Sequence, residues 1–288
     1  MQSLNDVAQL TPTLEAARIA SLSLASAPTE VKNRALKLIA QSLRENVSAI
    51  VAANQVDLDA GASNGLTAGL LDRLKLDESR LAALANSVDQ IALLTDPVGQ
   101  VVRGSSLPNG IKISQVRVPF GVIGVIYEAR PNVTIDLAAL ALKSGNAVVL
   151  RGGSAAENSN RILIDLVQTA IAAAGLNPDS VQTIDPFGRA GATELMKARG
   201  YVDVLIPRGS ANLIRTVVTE SQVPVIETGA GVVHIFLDET ATKQWAIDIV
   251  HNSKTHRPSV CNALETLLVH RTAAMAPAPV ATRSLTVT

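Results

Sequence analysis

A single cysteine, Cys261, stands in 288 residues. An intrachain disulfide is therefore excluded, and one thiol in a chain this long fits a reducing compartment. Aromatic residues are only 2% of the chain, which leaves no platform for stacking single-stranded nucleic acid. Neither sign of charge dominates: Lys plus Arg and Asp plus Glu are 25 each. No long-range field favours nucleic acid or an anionic membrane. No apolar run is long and clean enough to span a bilayer. The opening, Met1-Gln2-Ser3-Leu4-Asn5-Asp6, has neither a basic n-region nor an apolar h-region. The expectation is a cytoplasmic protein acting on a small molecule, with no nucleic-acid or membrane partner. The Gly-x-Gly-x-x-Gly fingerprint and the P-loop are both absent, so any dinucleotide binds in a different way. No Cys/His/Asp spacing suggests zinc, and the expectation is no metal. There is no internal repeat.

The apolar content comes from Ala, Val, Leu and Ile, a mix that suits helices packed on buried parallel strands. The length suggests one large or two medium domains. Up to about Leu94 the chain reads as helices. Val31, Ala35, Leu38, Ile39 and Leu43 recur at helical spacing, and so do Leu81, Leu84, Ala85, Val88 and Ile91 after an Asp77 cap. Around Leu107-Pro108-Asn109-Gly110 two β-prone runs read as a hairpin. From Gly121 strands and helices alternate. Strands are expected at 121–127, 146–150, 181–184, 202–206 and 223–226, with helices at 132–143, 158–174, 190–198 and 211–220. Five short apolar strands alternating with helices predict an α/β fold with a doubly wound parallel sheet. The runs 232–237 and 263–269, with a helix around 246–251 between them, look like the start of a second sheet. Residues 271–288 are rich in Ala, Pro, Thr and Val without periodicity and read as disordered.

Ligands of doubly wound sheets bind beyond the carboxyl ends of the strands. Two loops there pair an arginine with small residues: Arg151-Gly152-Gly153-Ser154 and Arg208-Gly209-Ser210. Backbone amides and a guanidinium suit phosphate, although Gly-Gly and Gly-Ser are also ordinary tight turns. Glu227 ends the expected fifth strand, where a carboxylate serves as base or proton carrier, or as a turn partner. Asn132 follows Arg130-Pro131 and is either an oxyanion donor or, the better local reading, the N-cap of the next helix. Cys261 lies beyond Pro258, near Lys254, His256 and Arg257. A cationic neighbourhood lowers a thiol pKa and supplies a nucleophilic thiolate; a small buried hydrophobe is the bland alternative.

The run from Val118-Pro119-Phe120-Gly121 through Glu128-Ala129-Arg130-Pro131-Asn132 resembles the γ-glutamyl phosphate reductases, or glutamate-5-semialdehyde dehydrogenases, of proline biosynthesis. So do Ser144-Gly145-Asn146, Arg151-Gly152-Gly153-Ser154, Ile206-Pro207-Arg208-Gly209, Val225-Ile226-Glu227-Thr228-Gly229 and the segment 257–265. The resemblance covers the chain to about Arg271. That family lies within the aldehyde dehydrogenase superfamily. The resemblance implies a cofactor-binding domain of 1–98 and 119–226, an oligomerisation hairpin at 99–118, and the start of a catalytic domain at 227–270. It implies Cys261 as nucleophile, Glu227 at the superfamily glutamate, and Asn132 near the oxyanion asparagine, where an ungapped match places Glu128. It further implies NADPH-dependent reduction of L-glutamyl 5-phosphate through a cysteine thioester. Lys254 or Arg257 is the candidate for the substrate phosphate. The alternatives are a reductase of the same superfamily that uses a CoA thioester, and a non-catalytic nucleotide-binding fragment.

Cofactor choice has its own signal. The second strand ends in Leu150-Arg151, with no carboxylate before Glu157. A basic residue there suits a 2′-phosphate, so NADP(H) is expected, with Arg151 and Ser154 beside that phosphate. Departures from the family pattern include Ser259 and Ser210 in place of glycine and His256 in place of glutamine. Serine at position 259 adds strain if the backbone there has positive φ. After Arg271 the tail is unlike the family. The catalytic domain is therefore expected to be incomplete, the activity uncertain, and the family's homo-oligomer doubtful for this chain.

Overall fold

The computed structural model describes residues 4–227, 229, 231–258 and 260–274. These residues fall into two compact units that divide after Thr228.

The first unit begins with five helices: α1 (Leu4–Ala25), α2 (Thr29–Glu45), α3 (Val47–Ser63), α4 (Ala68–Leu74) and α5 (Glu78–Leu93). The Asp77 carboxylate caps α5 by accepting the Arg80 N–H at 2.9 Å. On α2, Ala35, Leu36, Ile39 and Leu43 are buried, and on α5, Leu81, Leu84, Ala85 and Val88. Both apolar stripes have the spacing expected of amphipathic helices. An antiparallel hairpin follows, β1 (Val101–Ser106) with β2 (Lys112–Val116), exposed along its whole length. Gly110 closes its turn at φ +85°, a conformation that glycine adopts without a Cβ penalty.

A parallel sheet then forms from β3 (Val122–Tyr127), β4 (Ala147–Arg151), β5 (Val181–Thr183) and β6 (Val204–Arg208), in the order β5-β4-β3-β6. Helices α6 (Pro131–Lys143), α7 (Glu157–Ala173), α8 (Gly188–Lys197) and α9 (Ala211–Glu220) connect and follow the strands. Side chains alternate across the sheet, as the strand pleat dictates. Val125, Tyr127, Val148, Leu150 and Val181 pack under α2, α5, α6 and α7. Val122, Ile126, Ala147, Val149 and Leu205 face the other way, against Leu10, Leu14 and Ala17 of α1, Leu195 and Met196 of α8, and Val217 of α9. The sheet is thus wound on both faces.

One expected strand is absent. Residues 223–226 make a single bridge, Val225 to Leu205, instead of a fifth strand. Leu205 N donates to Pro224 O and Ile226 N to Leu205 O, but Pro224 has no N–H to extend the ladder. Strand β6 also starts and ends two residues later than 202–206.

In the second unit, β7 (Val233–Leu237) and β8 (Leu264–Val269) pair in parallel across helix α10 (Lys243–Thr255). This is the βαβ arrangement anticipated from 232–237 and 263–269, with a longer helix. A short helix, α11 (Arg271–Ala274), follows. Ala276-Pro277-Ala278-Pro279, part of the segment expected to be disordered, lies outside the described residues, as does Ser259 with the backbone strain anticipated there. Among the described residues no helix is long and apolar enough to cross a membrane.

Candidate functional site

Asn132, Glu227 and both arginine loops belong to the first unit, and Lys254, Arg257 and Cys261 to the second. Strand order brings the loops together. β3 lies between β4 and β6, so the ends at Arg151 and Arg208 flank the end of β3. The chain leaves β3 toward β4 on one side, and β6 lies on the other, which makes this the topological switch point where ligands of such sheets bind.

At the β4 end, Arg151 Nη1 donates to Gly152 O at 2.7 Å and Nε to Gly188 O at 3.4 Å. Nη2 has no hydrogen-bond partner among the described residues. Ser154, two residues past the buried Gly152, is exposed. A guanidinium with unspent donors and an exposed hydroxyl at a strand end fit a dinucleotide phosphate. The sequence reading missed the carboxylate beside them. Asp185, after β5, accepts the Gly152 N–H at 2.6 Å and the Asn160 side-chain amide at 2.9 Å. Burial pushes the Asp185 carboxyl above the ordinary aspartate range, against the hydrogen bonds from Asn160 and Gly152 and the Arg151 charge, which pull it down. The strand end thus has a carboxylate neighbour after all. Its two oxygens are engaged by Gly152 and Asn160. Only the pairing of β4 with β5 could have signalled it, because 33 residues separate it from Gly152.

At the β6 end the loop is already engaged. Ser210 N donates to Glu128 Oε1 at 2.8 Å, and a Cβ on Gly209 would lie 2.6 Å from the Glu128 carboxyl carbon. Arg208, Gly209 and Ser210 are exposed. Ser210 caps α9 in ordinary extended backbone, with φ −65° and ψ 155°. Serine in place of glycine therefore causes no backbone strain here. Register explains the Glu128 contact: Tyr127 pairs with Arg208, so the next residues on each strand, Glu128 and Gly209, are neighbours.

Asn132 is not an N-cap. Arg130, at φ −143° and ψ 90°, is the cap of α6, and Pro131 occupies the first helical position, where its missing N–H costs nothing. Asn132 lies inside the first turn and donates to Asp136 Oδ2 at 3.2 Å. Burial raises the Asp136 carboxyl, and the Asn132 bond partly offsets this. Glu227 is exposed, one residue past Ile226 in the bridged segment.

In the second unit Cys261 is exposed on a turn closed by Ala263 N to Val260 O at 3.1 Å. Buried Ala263 and Leu264 anchor the turn. A Cβ on Gly231 would lie 2.5 Å from the Cys261 carbonyl oxygen, so the glycine loop and the thiol loop pack backbone to backbone. Lys254, in the last turn of α10, donates from Nζ to Leu264 O at 2.9 Å, tying the helix to β8. Arg257 is exposed on the intervening loop.

Comparison with known proteins gives this arrangement relatives. The Aldehyde dehydrogenase family matches residues 3–278, past the point near Arg271 where the motif resemblance was expected to stop. The chain is 62% identical over 274 residues to a Gamma-glutamyl phosphate reductase of Leifsonia xyli subsp. xyli, covering 95% of this chain and 65% of that protein. The crystal structure of Gamma-glutamyl phosphate reductase from Thermotoga maritima superposes with TM-score 0.89 at 40% identity, covering 96% of this chain and 66% of that one. An acetylating aldehyde dehydrogenase from Geobacillus thermoglucosidasius shares the fold, with TM-score 0.68 at 20% identity over 93% of this chain and 56% of that one. The chain thus spans about 65% of the length of the curated relative, and the motifs quoted above fall inside that span. With the family match running through both units, the chain belongs to the aldehyde dehydrogenase family, and within it the similarity is to the γ-glutamyl phosphate reductases.

Proposed function

We propose that the protein reduces L-glutamyl 5-phosphate to L-glutamate 5-semialdehyde with NADPH, releasing phosphate, as a cytoplasmic step of proline biosynthesis. The observation that carries this reading is the exposed thiol of Cys261, on a turn packed against Gly231, in a chain 62% identical to a Gamma-glutamyl phosphate reductase. The Cys261 thiolate attacks the acyl carbon, the bond from that carbon to the phosphate oxygen breaks, and a thioester remains. NADPH, when bound, supplies the hydride that reduces the thioester carbon. The carbon–sulfur bond then breaks, the aldehyde leaves and the thiolate returns. The departing phosphate takes up the proton that the overall reaction consumes.

Each addition places negative charge on the carbonyl oxygen. The Cys261 backbone N–H is the donor proposed for it. Glu227, exposed on its loop, is the proton carrier. Lys254 and Arg257 are assigned to the substrate phosphate, and Arg151 with Ser154 to the 2′-phosphate of NADPH. Arg208, Gly209 and Ser210 are the second phosphate loop, open to a phosphate once Glu128 turns aside. The exposed hairpin of β1 and β2, with Val101, Val102, Ile113 and Val116 on its surface, is assigned to pairing with a second copy of the chain.

The test is a turnover assay with glutamyl phosphate against an acyl-CoA. Equal amounts of NADPH consumed and phosphate released with glutamyl phosphate alone are expected. Consumption with acyl-CoA only, or with neither substrate, overturns the reading.

A further inference from the structure

Asp185 takes no part in the proposed chemistry, yet it is tied to the Arg151 loop from several sides. It opens a short 3-10 turn, Asp185–Phe187, after β5, and its own N–H donates to Thr183 Oγ1 at 3.2 Å. Its carboxylate accepts from Gly152 and from Asn160. Asn160 Oδ1 in turn accepts the Thr134 hydroxyl at 2.8 Å. The one Thr134 proton is thereby committed, so the Tyr127 hydroxyl is the donor across the 2.7 Å Tyr127–Thr134 contact. Burial, together with the Asp185 charge, raises the Tyr127 phenol well above its ordinary range and keeps it a donor.

The polarity of the chain is therefore fixed: Tyr127 to Thr134 to Asn160 to Asp185, with Gly152 donating to the same carboxylate. Thr134, Asn160 and Tyr127 are all buried. There is no slack in the loop either. A Cβ on Gly152 would lie 2.3 Å from Asn160 Nδ2 and 3.2 Å from the Tyr127 hydroxyl.

Gly152 is held from both ends. Its N–H goes to Asp185 and its C=O to Arg151 Nη1. The guanidinium thus rests on the carbonyl of the residue whose N–H Asp185 holds, one peptide unit further along the chain. We propose that Asp185 is a positioning residue for the cofactor-phosphate loop, setting how Arg151 is presented to the 2′-phosphate and hence the preference for NADPH over NADH. This rests on the assignment of Arg151 to that phosphate.

Two variants test it. Asp185→Asn places an amide donor opposite one of two existing donors, Gly152 N–H or the Asn160 amide. Asp185→Asn combined with Asn160→Asp returns an acceptor to every donor, because the exchanged pair reverses only the bond between those two positions. In the full chain, Asp185→Asn is expected to weaken NADPH binding roughly tenfold, and NADH binding less than about threefold, the usual scale for one charge-assisted hydrogen bond. Backbone amide exchange at 152–154 in the cofactor-free protein should quicken by a similar factor. The exchanged pair should recover both to within about threefold of the parent. A residue that merely stabilises the fold would lower the melting temperature and leave the NADPH-to-NADH ratio alone. An unchanged ratio and unchanged exchange in Asp185→Asn, or an exchanged pair no better than the single variant, overturns the proposal. If Arg151→Ala keeps the NADPH preference, the assignment of Arg151 has failed, and exchange and rescue in the free protein still decide whether Asp185 holds the loop.

Discussion

The N–H of Ser210 donates to the carboxylate of Glu128 at 2.8 Å, so the start of helix α9 already carries a negative charge. A helix N-terminus attracts anions, and on the proposed assignment a cofactor phosphate at Arg208 and Gly209 must displace this one or lie against it. Glu128→Gln keeps an acceptor for Ser210 and removes the charge. NADPH is expected to bind roughly three- to tenfold more tightly to this variant, with the gain shrinking at high salt. The loss of the charge–helix interaction is expected to cost about 0.3–1 kcal/mol of stability. Titration calorimetry at two ionic strengths checks this, and weaker binding would mean that Glu128 organises the loop for the cofactor.

Gly231 and Cys261 give the next prediction. A methyl on Gly231 would lie 2.5 Å from the Cys261 carbonyl oxygen, a backbone atom that has no side-chain freedom with which to yield. Gly231→Ala must therefore move the thiol loop. Turnover should fall on the order of 100-fold, the scale of an ångström's misplacement of a reacting group. NADPH affinity should stay as it was, because the sheet that carries the Arg151 loop lies in the other unit. A fully active alanine variant would show that the loop tolerates the shift.

Exchange protection should differ between the units. Among the described residues of the second unit, the buried apolar side chains are Val250, Ala263 and Leu264, whereas β3 and β4 are buried along most of their length. Local opening is easiest where buried apolar contacts are few. Amides of β7 and β8 should exchange much faster than those of β3 and β4. Equal protection would contradict this.

Acid should act through the cap of α5. The backbone hydrogen bond from Arg80 and the side-chain hydrogen bond from Ser79 lower the Asp77 carboxyl to about 2. A folded-state value below the unfolded one stabilises at pH above the unfolded value of 3.8, and that contribution is lost as pH falls toward about 2. Asp77→Ala should melt below the parent at neutral pH, and the two curves should converge as acid protonates the cap. A gap that stays constant across that range would rule out the carboxylate as its source.

Much of this was legible in the chain. The α5 stripe and its Asp77 cap, the hairpin turn at Asn109-Gly110, the alternation from Gly121 and the β7–α10–β8 unit all follow from local rules of spacing and turn chemistry. The misses were tertiary. Residues 223–226 carry a strand-like composition, yet Pro224 limits them to one bridge. Asn132 has cap chemistry, yet Pro131 moved the helix start ahead of it. Asp185 and Glu128 reach the two arginine loops only through strand order and register, and neither is written in the local sequence around Arg151 or Ser210. Lys254, picked out for its charge near the thiol, spends one donor on the backbone of β8.

Acyl transfer to Cys261 is the central step of the proposed reaction, and it can be observed without turnover. The protein is mixed with L-glutamyl 5-phosphate in the absence of NADPH, quenched in acid, digested and weighed by mass spectrometry. The thioester mechanism predicts one added glutamyl group, on the peptide that contains Cys261, with a matching release of phosphate and no modification in Cys261→Ser. An unmodified Cys261 peptide, or the same added mass in Cys261→Ser, would contradict it.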